Sequence, residues 1–202
     1  MTTIGIMGGT FDPIHIGHLL LGRQAYQEYG LDSVWFMPSG QPPHKKERHV
    51  SSAEDRCAMV KLAIQGEPGF VFSDFEVLRE GNTYTAKTMK LLNDAYSDHR
   101  FYYIIGADSL YEIESWYHPE EVLASVPFLA AKREYEREHR SFDRQIAYLK
   151  DRYGAQIHVL HCNEMDISSA QIRRAAAHGL PIDDYVPKAV REYIDLHGLY
   201  HL

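Results

Sequence analysis

The chain has 202 residues, of which 24% are charged and 45% are hydrophobic, so it is long enough to bury a substantial core. Its 28 acidic and 21 basic residues give a net charge of −7, which argues against nucleic-acid binding because that favours a basic surface. No apolar run is long enough to span a bilayer, and the first residues lack the pattern of a secretory signal. Because the two cysteines, Cys57 and Cys162, lie far apart, we expect a reduced, cytoplasmic protein.

Short β-type runs alternate with longer amphipathic stretches along the chain. In chain order, the patterns predict a strand over Thr3–Met7, a helix from Gly17 to Gly30, a strand over Val34–Met37, an exposed loop over Gly40–Val50, a helix from Ser51 to Gly66, a strand over Phe70–Phe72, a helix over Thr85–Tyr96, strands over Phe101–Ile105 and Val126–Ala131, a helix over Arg137–Arg152, a strand over Ile157–Leu160, and helices over Ser169–His178 and Pro187–His197. Ser51 and Glu54 have the spacing of a capping box.

This alternation is typical of an α/β protein. It predicts a Rossmann-like, doubly wound, mostly parallel sheet with helices on both faces, followed by C-terminal helices. We find no repeat or linker that divides the chain, and therefore expect residues 1–202 to form a single domain. Ligands of such sheets bind beyond the carboxyl ends of the strands. The loops of interest therefore follow Met7, Met37, Ile105 and Leu160.

The most informative segment runs from Gly8 to His18 and reads Gly-Gly-Thr-Phe-Asp-Pro-Ile-His-Ile-Gly-His. Two glycines directly after a strand allow a ligand to approach the backbone closely. His15 and His18 lie at the start of the next helix, where imidazole N–H groups and the positive end of the helix suit a polyphosphate. The segment is neither a Walker loop nor a dinucleotide fingerprint, because the Lys-Ser/Thr pair and the glycine spacing are both absent.

The segment resembles the signature of the HIGH-motif nucleotidyltransferases, since the chain contains the sequence His-Ile-Gly-His. Its longer form looks most like that of the bacterial nicotinate-nucleotide adenylyltransferases, and the resemblance extends over essentially the whole chain. Later stretches support this narrower family. They are the loop over 38–45, the helix with Arg56, Met59 and Ala63, the segments 83–85 and 106–110, the pair Trp116 and Tyr117, the segment 167–173, and the stretch from Val186 to Tyr200.

The resemblance implies an adenylyltransferase that joins ATP and nicotinate mononucleotide. It assigns His15 and His18 to catalysis at the ATP phosphates. The other residues that it implies for ATP binding are Gly8, Gly9, Thr10, Phe11, Gly106, Asp108, Ile167, Ser168, Ser169 and Arg173. Those for the mononucleotide are Lys45, Thr85, Trp116, which would stack on the pyridine ring, and Tyr117.

No protein nucleophile is expected, because the phosphate of the mononucleotide is itself the attacking group. Mg²⁺ is expected as the cofactor, held mainly by the ATP phosphates and water rather than by a protein cage. The expected partners are small molecules and neither nucleic acid nor a membrane. The sequence leaves the oligomeric state open, and a homodimer is compatible with it.

Several residues also have simpler explanations. Ser168 and Ser169 suit a helix cap, which is compatible with phosphate binding. His158, His161 and Cys162 invite a metal interpretation, but residues three apart on a strand face opposite sides, so we favour ordinary histidines. Two positions depart from the family pattern: Ala170 replaces a common Thr, and Glu134-Tyr135 replaces a common Pro-Gly.

Three other functions compete with this one. The first is a related enzyme, a pantetheine-phosphate adenylyltransferase or a cytidylyltransferase, which shares the first motif but lacks the Trp116-Tyr117 arrangement. The second is a nucleotide-binding regulatory protein without catalysis, which is disfavoured because both histidines are present. The third is a synthetase-like tRNA enzyme, which is disfavoured because the chain has no Lys-Met-Ser-Lys-Ser segment.

Overall fold

A computed structural model describes residues 1–40, 50–132, 141–162 and 166–201. Within these residues, six strands form one sheet: β1 Thr2–Gly9, β2 Ser33–Pro38, β3 Phe70–Phe72, β4 His99–Ile105, β5 Phe128–Ala131 and β6 Ile157–Leu160. All neighbouring strands pair in parallel, in the order β3-β2-β1-β4-β5-β6. The prediction of a doubly wound sheet is confirmed, and every pairing in it is parallel.

The described residues also form eight α-helices, of which the last two follow β6: α1 Ile16–Glu28, α2 Ala53–Ile64, α3 Thr85–Ala95, α4 Ala107–Glu112, α5 Pro119–Ser125, α6 Phe142–Tyr153, α7 Ser169–Ala177 and α8 Lys188–Leu196. A 3₁₀ turn covers Ile113–Ser115 between α4 and α5. The sequence did not predict α4, α5 or this turn. The helix predicted from Arg137 begins at Phe142, because its N-cap Ser141 has an extended backbone; residues 133–140 lie outside the described residues.

The core has one layer on each face of the sheet. On β4, Phe101, Tyr103 and Ile105 point into the layer covered by α3 to α6, whereas Ile104 points into the layer covered by α1, α2, α7 and α8. Successive residues of a strand point to opposite faces, so buried parallel strands are apolar along their whole length. This explains why continuous apolar runs located the strands correctly.

The start of α2 differs from the prediction by one residue. The N-cap is Ser52 rather than Ser51, and its hydroxyl accepts a hydrogen bond from the backbone N–H of Asp55 at 3.0 Å. Its partner is therefore Asp55 and not Glu54. Ser51 instead uses its backbone groups, since its carbonyl accepts from Arg56 and its N–H donates to Asp12.

No helix in the described part of the chain combines the length and the apolar character that a membrane span needs.

Candidate active site

A cleft of about 910 Å³ lies beyond the carboxyl ends of β1 and β4. These two strands are the central pair, at which the strand order changes direction, and this is the usual ligand site of such sheets. The predicted site residues that line it are Gly8, Gly9, Thr10, His15, His18, Thr85, Gly106, Asp108, Trp116, Tyr117, Ile167, Ser168, Ser169 and Arg173. Segments far apart in sequence thus meet in one cavity, as the resemblance implied.

One predicted site residue within the described part of the chain, Phe11, does not line the cleft. Phe11 is only 2% exposed, and its ring packs edge-on against His18 with the ring centroids 5.0 Å apart. Its side chain therefore supports the His18 ring, and the ATP contact expected of Phe11 stays a prediction that only its backbone could fulfil. Lys45 falls within residues 41–49, outside the described residues, as does the Glu134-Tyr135 departure.

We call one side of the cleft the histidine end and define it as residues 8–18 together with 167–173. Its two imidazoles stack, with ring centroids 3.6 Å apart. The backbone N–H of His15 donates to Nδ1 of His18 at 3.2 Å. Because Nδ1 accepts this bond, the neutral His18 ring carries its proton on Nε2, where it can serve a ligand as a donor.

His15 is more deeply buried than His18. It is 7% exposed, and this burial lowers the pKa of His15 to about 4. Its ring is therefore neutral at pH 7 and presents a hydrogen-bond donor rather than a full positive charge. The Nδ1 atom of His15 is buried without a hydrogen-bond partner in the described structure. A buried polar atom of this kind is expected to gain a partner when a ligand binds.

The loop at the histidine end is held by side chains that reach it from α2 and α7. Arg56, which is 2% exposed, donates from Nη1 to the carbonyl of Thr10 at 2.8 Å. Arg173 donates from Nη1 to the carbonyl of Asp12 at 2.7 Å, and Ser169 donates to the carbonyl of Pro13 at 2.9 Å. These contacts keep the carbonyl oxygens of the loop occupied, which favours an anionic ligand in the cleft.

The contacts change how two of the predicted ATP residues are interpreted. In this structure the hydroxyl of Ser169 and one guanidinium nitrogen of Arg173 hold the loop. The hydroxyl of Ser168 accepts from the backbone N–H of Gln171, and Gln171 accepts from the N–H of Ser168, which together form a capping box. The capping role that we kept open for Ser168 is therefore present, and the positive end of α7 remains beside the cleft.

Gly8 is required by the packing of the cleft floor. A Cβ atom placed on Gly8 would lie 2.2 Å from the hydroxyl oxygen of Tyr103, which no structure tolerates. Tyr103 thus comes from β4 to lie against the first glycine of the motif. Burial, together with the nearby charge of Glu76, raises the pKa of the Tyr103 hydroxyl, so it stays protonated.

We call the opposite side of the cleft the aromatic end and define it as residues 76–85 with Tyr103, Trp116 and Tyr117. The rings of Tyr84 and Tyr117 stack with centroids 4.2 Å apart, and Trp116 packs edge-on against Tyr103 at 6.2 Å. Thr85 is the first residue of α3, whose N-cap, Tyr84, makes no side-chain capping bond. The first N–H groups of this helix therefore have no capping side chain and suit an anionic group.

The sequence did not single out a buried carboxyl group at the aromatic end. Glu76 is 8% exposed and lines the cleft, and burial raises its pKa. Its Oε1 accepts from the Thr88 hydroxyl at 2.6 Å, and that hydroxyl accepts from Arg79 at 2.9 Å. The only available signal was the position of Glu76 close before the Thr83–Thr85 segment, because the stretch around it has no regular pattern.

Two further hydroxyl groups at the cleft also escaped prediction as site residues. The Oγ of Ser39 and the Oγ1 of Thr83 are both buried and line the cleft. Ser39 follows β2 and has no hydrogen-bond partner within the described residues, whereas Thr83 precedes α3 and its hydroxyl interacts with Glu76. An unpaired buried hydroxyl is costly, so Ser39 is a candidate for a contact with a ligand.

The histidines near the end of β6 show no metal site. His161 pairs with Glu28, and His158 lies edge-on against the ring of Tyr29. Across the four described ranges, the single group of three side chains close enough to share a metal ion is His118, Glu120 and Glu121. All three are exposed, and none of them lines the cleft.

Comparison with known proteins identifies the family of the chain. Residues 6–175 match the model of the cytidylyltransferase-like family. A relative from Lachnoclostridium phytofermentans, named "Probable nicotinate-nucleotide adenylyltransferase", is 42% identical over 99% of this chain and 100% of its own. A relative from Carboxydothermus hydrogenoformans with the same name is 42% identical over 98% of this chain and 97% of its own.

Solved structures share the fold at much lower identity. The Plasmodium falciparum nicotinic acid mononucleotide adenylyltransferase complexed with NaAD superposes with a TM-score of 0.81 at 19% identity, over 99% of this chain and 98% of that one. A nicotinate-nucleotide adenylyltransferase structure from Vibrio parahaemolyticus gives a TM-score of 0.68 at 20% identity, over 99% of this chain and 96% of that one. The chain therefore belongs to the cytidylyltransferase-like family and, within it, to the nicotinate-nucleotide adenylyltransferases.

Proposed function

We propose that this chain catalyses ATP + nicotinate mononucleotide → nicotinate adenine dinucleotide + pyrophosphate, as one nucleotidyltransferase domain. The observation that carries the proposal is the composition of the cleft. One end has two imidazoles on an anion-binding loop, and the other has aromatic rings beside the uncapped N-terminus of α3. A dinucleotide product needs both kinds of surface in one cavity.

The chemistry needs no protein nucleophile. The 5′-phosphate of the mononucleotide attacks the α-phosphorus of ATP, a P–O bond forms, and the bond to the β-phosphate breaks to release pyrophosphate. The protein therefore contributes positioning and stabilisation of charge in the transition state. We assign His18 Nε2 to the charge that develops between the α- and β-phosphates. His15 serves as a neutral donor to the same phosphates.

The remaining ATP contacts are assigned to backbone groups and to Arg173. The N–H of Thr10 and the start of α7 would bind the phosphates, because the Ser168 and Ser169 hydroxyls already have partners. Arg173 uses Nη1 on the loop and retains further N–H groups for phosphate. Gly106 and Asp108, at the start of α4, would bind the ATP ribose.

Mg²⁺ fits the cleft as a metal bound through the ATP phosphates. Asp108 and Glu112 line the cleft and offer oxygen atoms, the ligand type that Mg²⁺ prefers. When bound, the ion would neutralise negative charge on the α-phosphate that is attacked and on the pyrophosphate that leaves. The protein itself would supply hydrogen-bond donors to the phosphates and, at most, hydrogen bonds to water molecules bound to the ion.

At the aromatic end, Trp116 would stack on the pyridine ring, and the N–H groups of Thr85 and Tyr117 would bind its carboxylate. A carboxylate accepts hydrogen bonds only, whereas the amide of nicotinamide also brings donors. The uncapped start of α3 therefore favours nicotinate. Lys45 is assigned to the phosphate of the mononucleotide, from the resemblance alone.

The deciding experiment measures pyrophosphate release with ATP and each of three acceptors: nicotinate mononucleotide, nicotinamide mononucleotide and phosphopantetheine. We expect the highest kcat/KM with nicotinate mononucleotide and no turnover when either substrate or Mg²⁺ is left out. A preference for phosphopantetheine would assign the chain to the related enzyme instead. No release with any of the three would contradict an adenylyltransferase.

A further inference from the structure

Tyr200 lies beyond the end of α8 and contacts the catalytic loop from outside the cleft. Its hydroxyl donates to Oδ1 of Asp12 at 2.7 Å. Its backbone has a φ of 66°, a left-handed conformation that is uncommon for residues other than glycine. Burial raises the pKa of the Tyr200 hydroxyl, so it remains a donor at physiological pH. Tyr200, which is remote in sequence, thus contacts Asp12 in the segment from Gly8 to His18.

The partner of Tyr200 is itself almost completely buried. Asp12 is 2% exposed, and its second carboxylate oxygen accepts from the backbone N–H of Ser51 at 3.3 Å. Its carbonyl accepts from Arg173. Three separate parts of the chain therefore hold Asp12: Tyr200 beyond the end of α8, Ser51 before the cap of α2, and Arg173 of α7. Buried carboxylates are costly without such partners.

Asp12 stands three residues before His15, in the same loop. His15 is the N-cap of α1, and its backbone N–H holds Nδ1 of His18. The position of the Asp12 backbone therefore influences where the His15 N–H points, and this in turn orients the His18 ring. The contacts form a continuous path from Tyr200 through Asp12 and His15 to His18.

We propose that Tyr200 is a positioning residue for the imidazole pair, acting through Asp12. Tyr200 is absent from the residues that line the main cleft. It lines an adjoining cavity of about 640 Å³ together with Ser51, Arg173 and Arg174, and of these only Arg173 also lines the main cleft. Tyr200 therefore acts on the reaction through its bond to Asp12 in the loop and not by lining the cleft. The kinetic readout of this inference rests on the proposed function.

A matched control lies on α8. The Tyr193 hydroxyl donates to Oδ1 of Asp55 at 3.0 Å, so it makes the same kind of tyrosine–aspartate bond on another part of the surface. Asp55 belongs to α2 and does not line the cleft. Replacing either tyrosine with Phe removes one hydroxyl and one hydrogen bond to a carboxylate, but only Tyr200→Phe disturbs the loop.

The two variants are compared by steady-state kinetics at a temperature where both are folded. We expect Tyr200→Phe to lower kcat by about tenfold while each KM changes less than about twofold, because misplaced catalytic groups cost turnover. Tyr193→Phe should keep the wild-type kcat and KM values. Equal kcat values for both variants and the wild-type protein would overturn the proposal.

A second measurement needs neither substrate nor activity, so it remains informative if the proposed reaction is wrong. NMR of the ring nitrogens reports the tautomer and the hydrogen bond at Nδ1 of His18. We expect these resonances to shift in Tyr200→Phe and to stay in place in Tyr193→Phe. Unchanged His15 and His18 resonances in folded Tyr200→Phe would show that Tyr200 merely contributes to stability.

Discussion

At the histidine end of the cleft, most polar groups lie in one short stretch of chain and are held by donors from α2 and α7. At the aromatic end, the wall is assembled from β4, the segment before α3 and the segment after α4. The first end presents imidazoles and a loop whose carbonyls are occupied. The second presents aromatic rings and one buried carboxyl group that interacts with the hydroxyls of Thr83 and Thr88. We infer that the first end serves the transition state and the second selects the acceptor.

This division predicts the largest effect at His18. His18→Ala should lower kcat by about 10²–10³, the usual cost of losing one donor to the transition state, and should leave the fold intact because His18 is only half-buried. Pyrophosphate release and thermal unfolding would be measured on the same preparation. His158→Ala, which removes an exposed imidazole remote from the cleft, is the control. Unchanged turnover in folded His18→Ala would contradict the assignment of the histidine end to the transition state.

The two ends also differ in how far the sequence revealed them. Gly8 to His18 is contiguous, so its glycines, imidazoles and position after a strand could be recognised together. Glu76 and Thr83 lie far from Tyr103 in sequence and come together with it only in the folded chain. Tyr103 belongs to an apolar run of five residues, and because both faces of a buried parallel strand are apolar, the sequence does not show which face of the sheet Tyr103 lies on. Their meeting at the cleft depends on the side of the sheet that each residue faces.

The same limit explains the missed helices. The runs that became β1, β4 and β6 are apolar and bounded by turn residues, so they were placed correctly. Helices α4 and α5 have six and seven residues, too short for a clear helical stripe. They lie between Gly106 and Val126, the stretch that places Trp116 and Tyr117 at the cleft. The family resemblance singled out Trp116 and Tyr117, although the hydrophobic pattern of this stretch predicted neither a helix nor a strand.

The next largest effect is on stability and again concerns the histidine end. The pKa of His15 is about 4 in the folded chain, and its ordinary value is 6.5. Between pH 4 and pH 6.5, His15 is therefore protonated in the unfolded chain but not in the folded chain. Stability is therefore retained above pH 6.5 and falls as the pH drops towards 4, by up to roughly 3 kcal/mol from this residue.

Denaturant unfolding of the wild-type protein and of His15→Asn at pH 7 and pH 4.5 measures this contribution. We expect the wild-type protein to lose more stability on acidification than the variant, because Asn does not titrate. Parallel losses in the two proteins would mean that the His15 ring gains a proton as easily when folded as when unfolded. Burial would then not be what keeps the His15 ring neutral below its ordinary pKa of 6.5.

A smaller effect is expected at the aromatic end. Trp116→Ala should raise the KM for nicotinate mononucleotide by about tenfold through loss of stacking, and should change the KM for ATP much less. Trp116→Phe keeps an aromatic face and should recover most of the loss. Because Trp116 also packs against the core, thermal unfolding must accompany the kinetics. An equal rise in both KM values would count against separate roles for the two ends.

The smallest expected effect is at Glu76. Glu76 accepts from Thr88, whose backbone N–H bonds to the carbonyl of Tyr84 in the first turn of α3. Glu76→Ala removes this acceptor and should raise the KM for the mononucleotide about fivefold, the cost of one hydrogen bond. Glu76→Gln keeps an accepting oxygen and should stay close to wild type. Glu80→Gln, on the same segment but exposed, is the matched control.

The stability of Glu76→Gln tests the charge of this group independently of the kinetics. Burial raises the folded pKa of Glu76, so its contribution to stability is fully present below its ordinary value of 4.5 and is lost as the pH rises through the folded value. Gln does not titrate, and the variant should therefore gain stability relative to the wild-type protein between pH 4.5 and pH 7.5. A constant difference across this range would show that the carboxyl group ionises in the cleft without cost. A charged Glu76 would then repel the nicotinate carboxylate, and the aromatic end would favour a neutral acceptor.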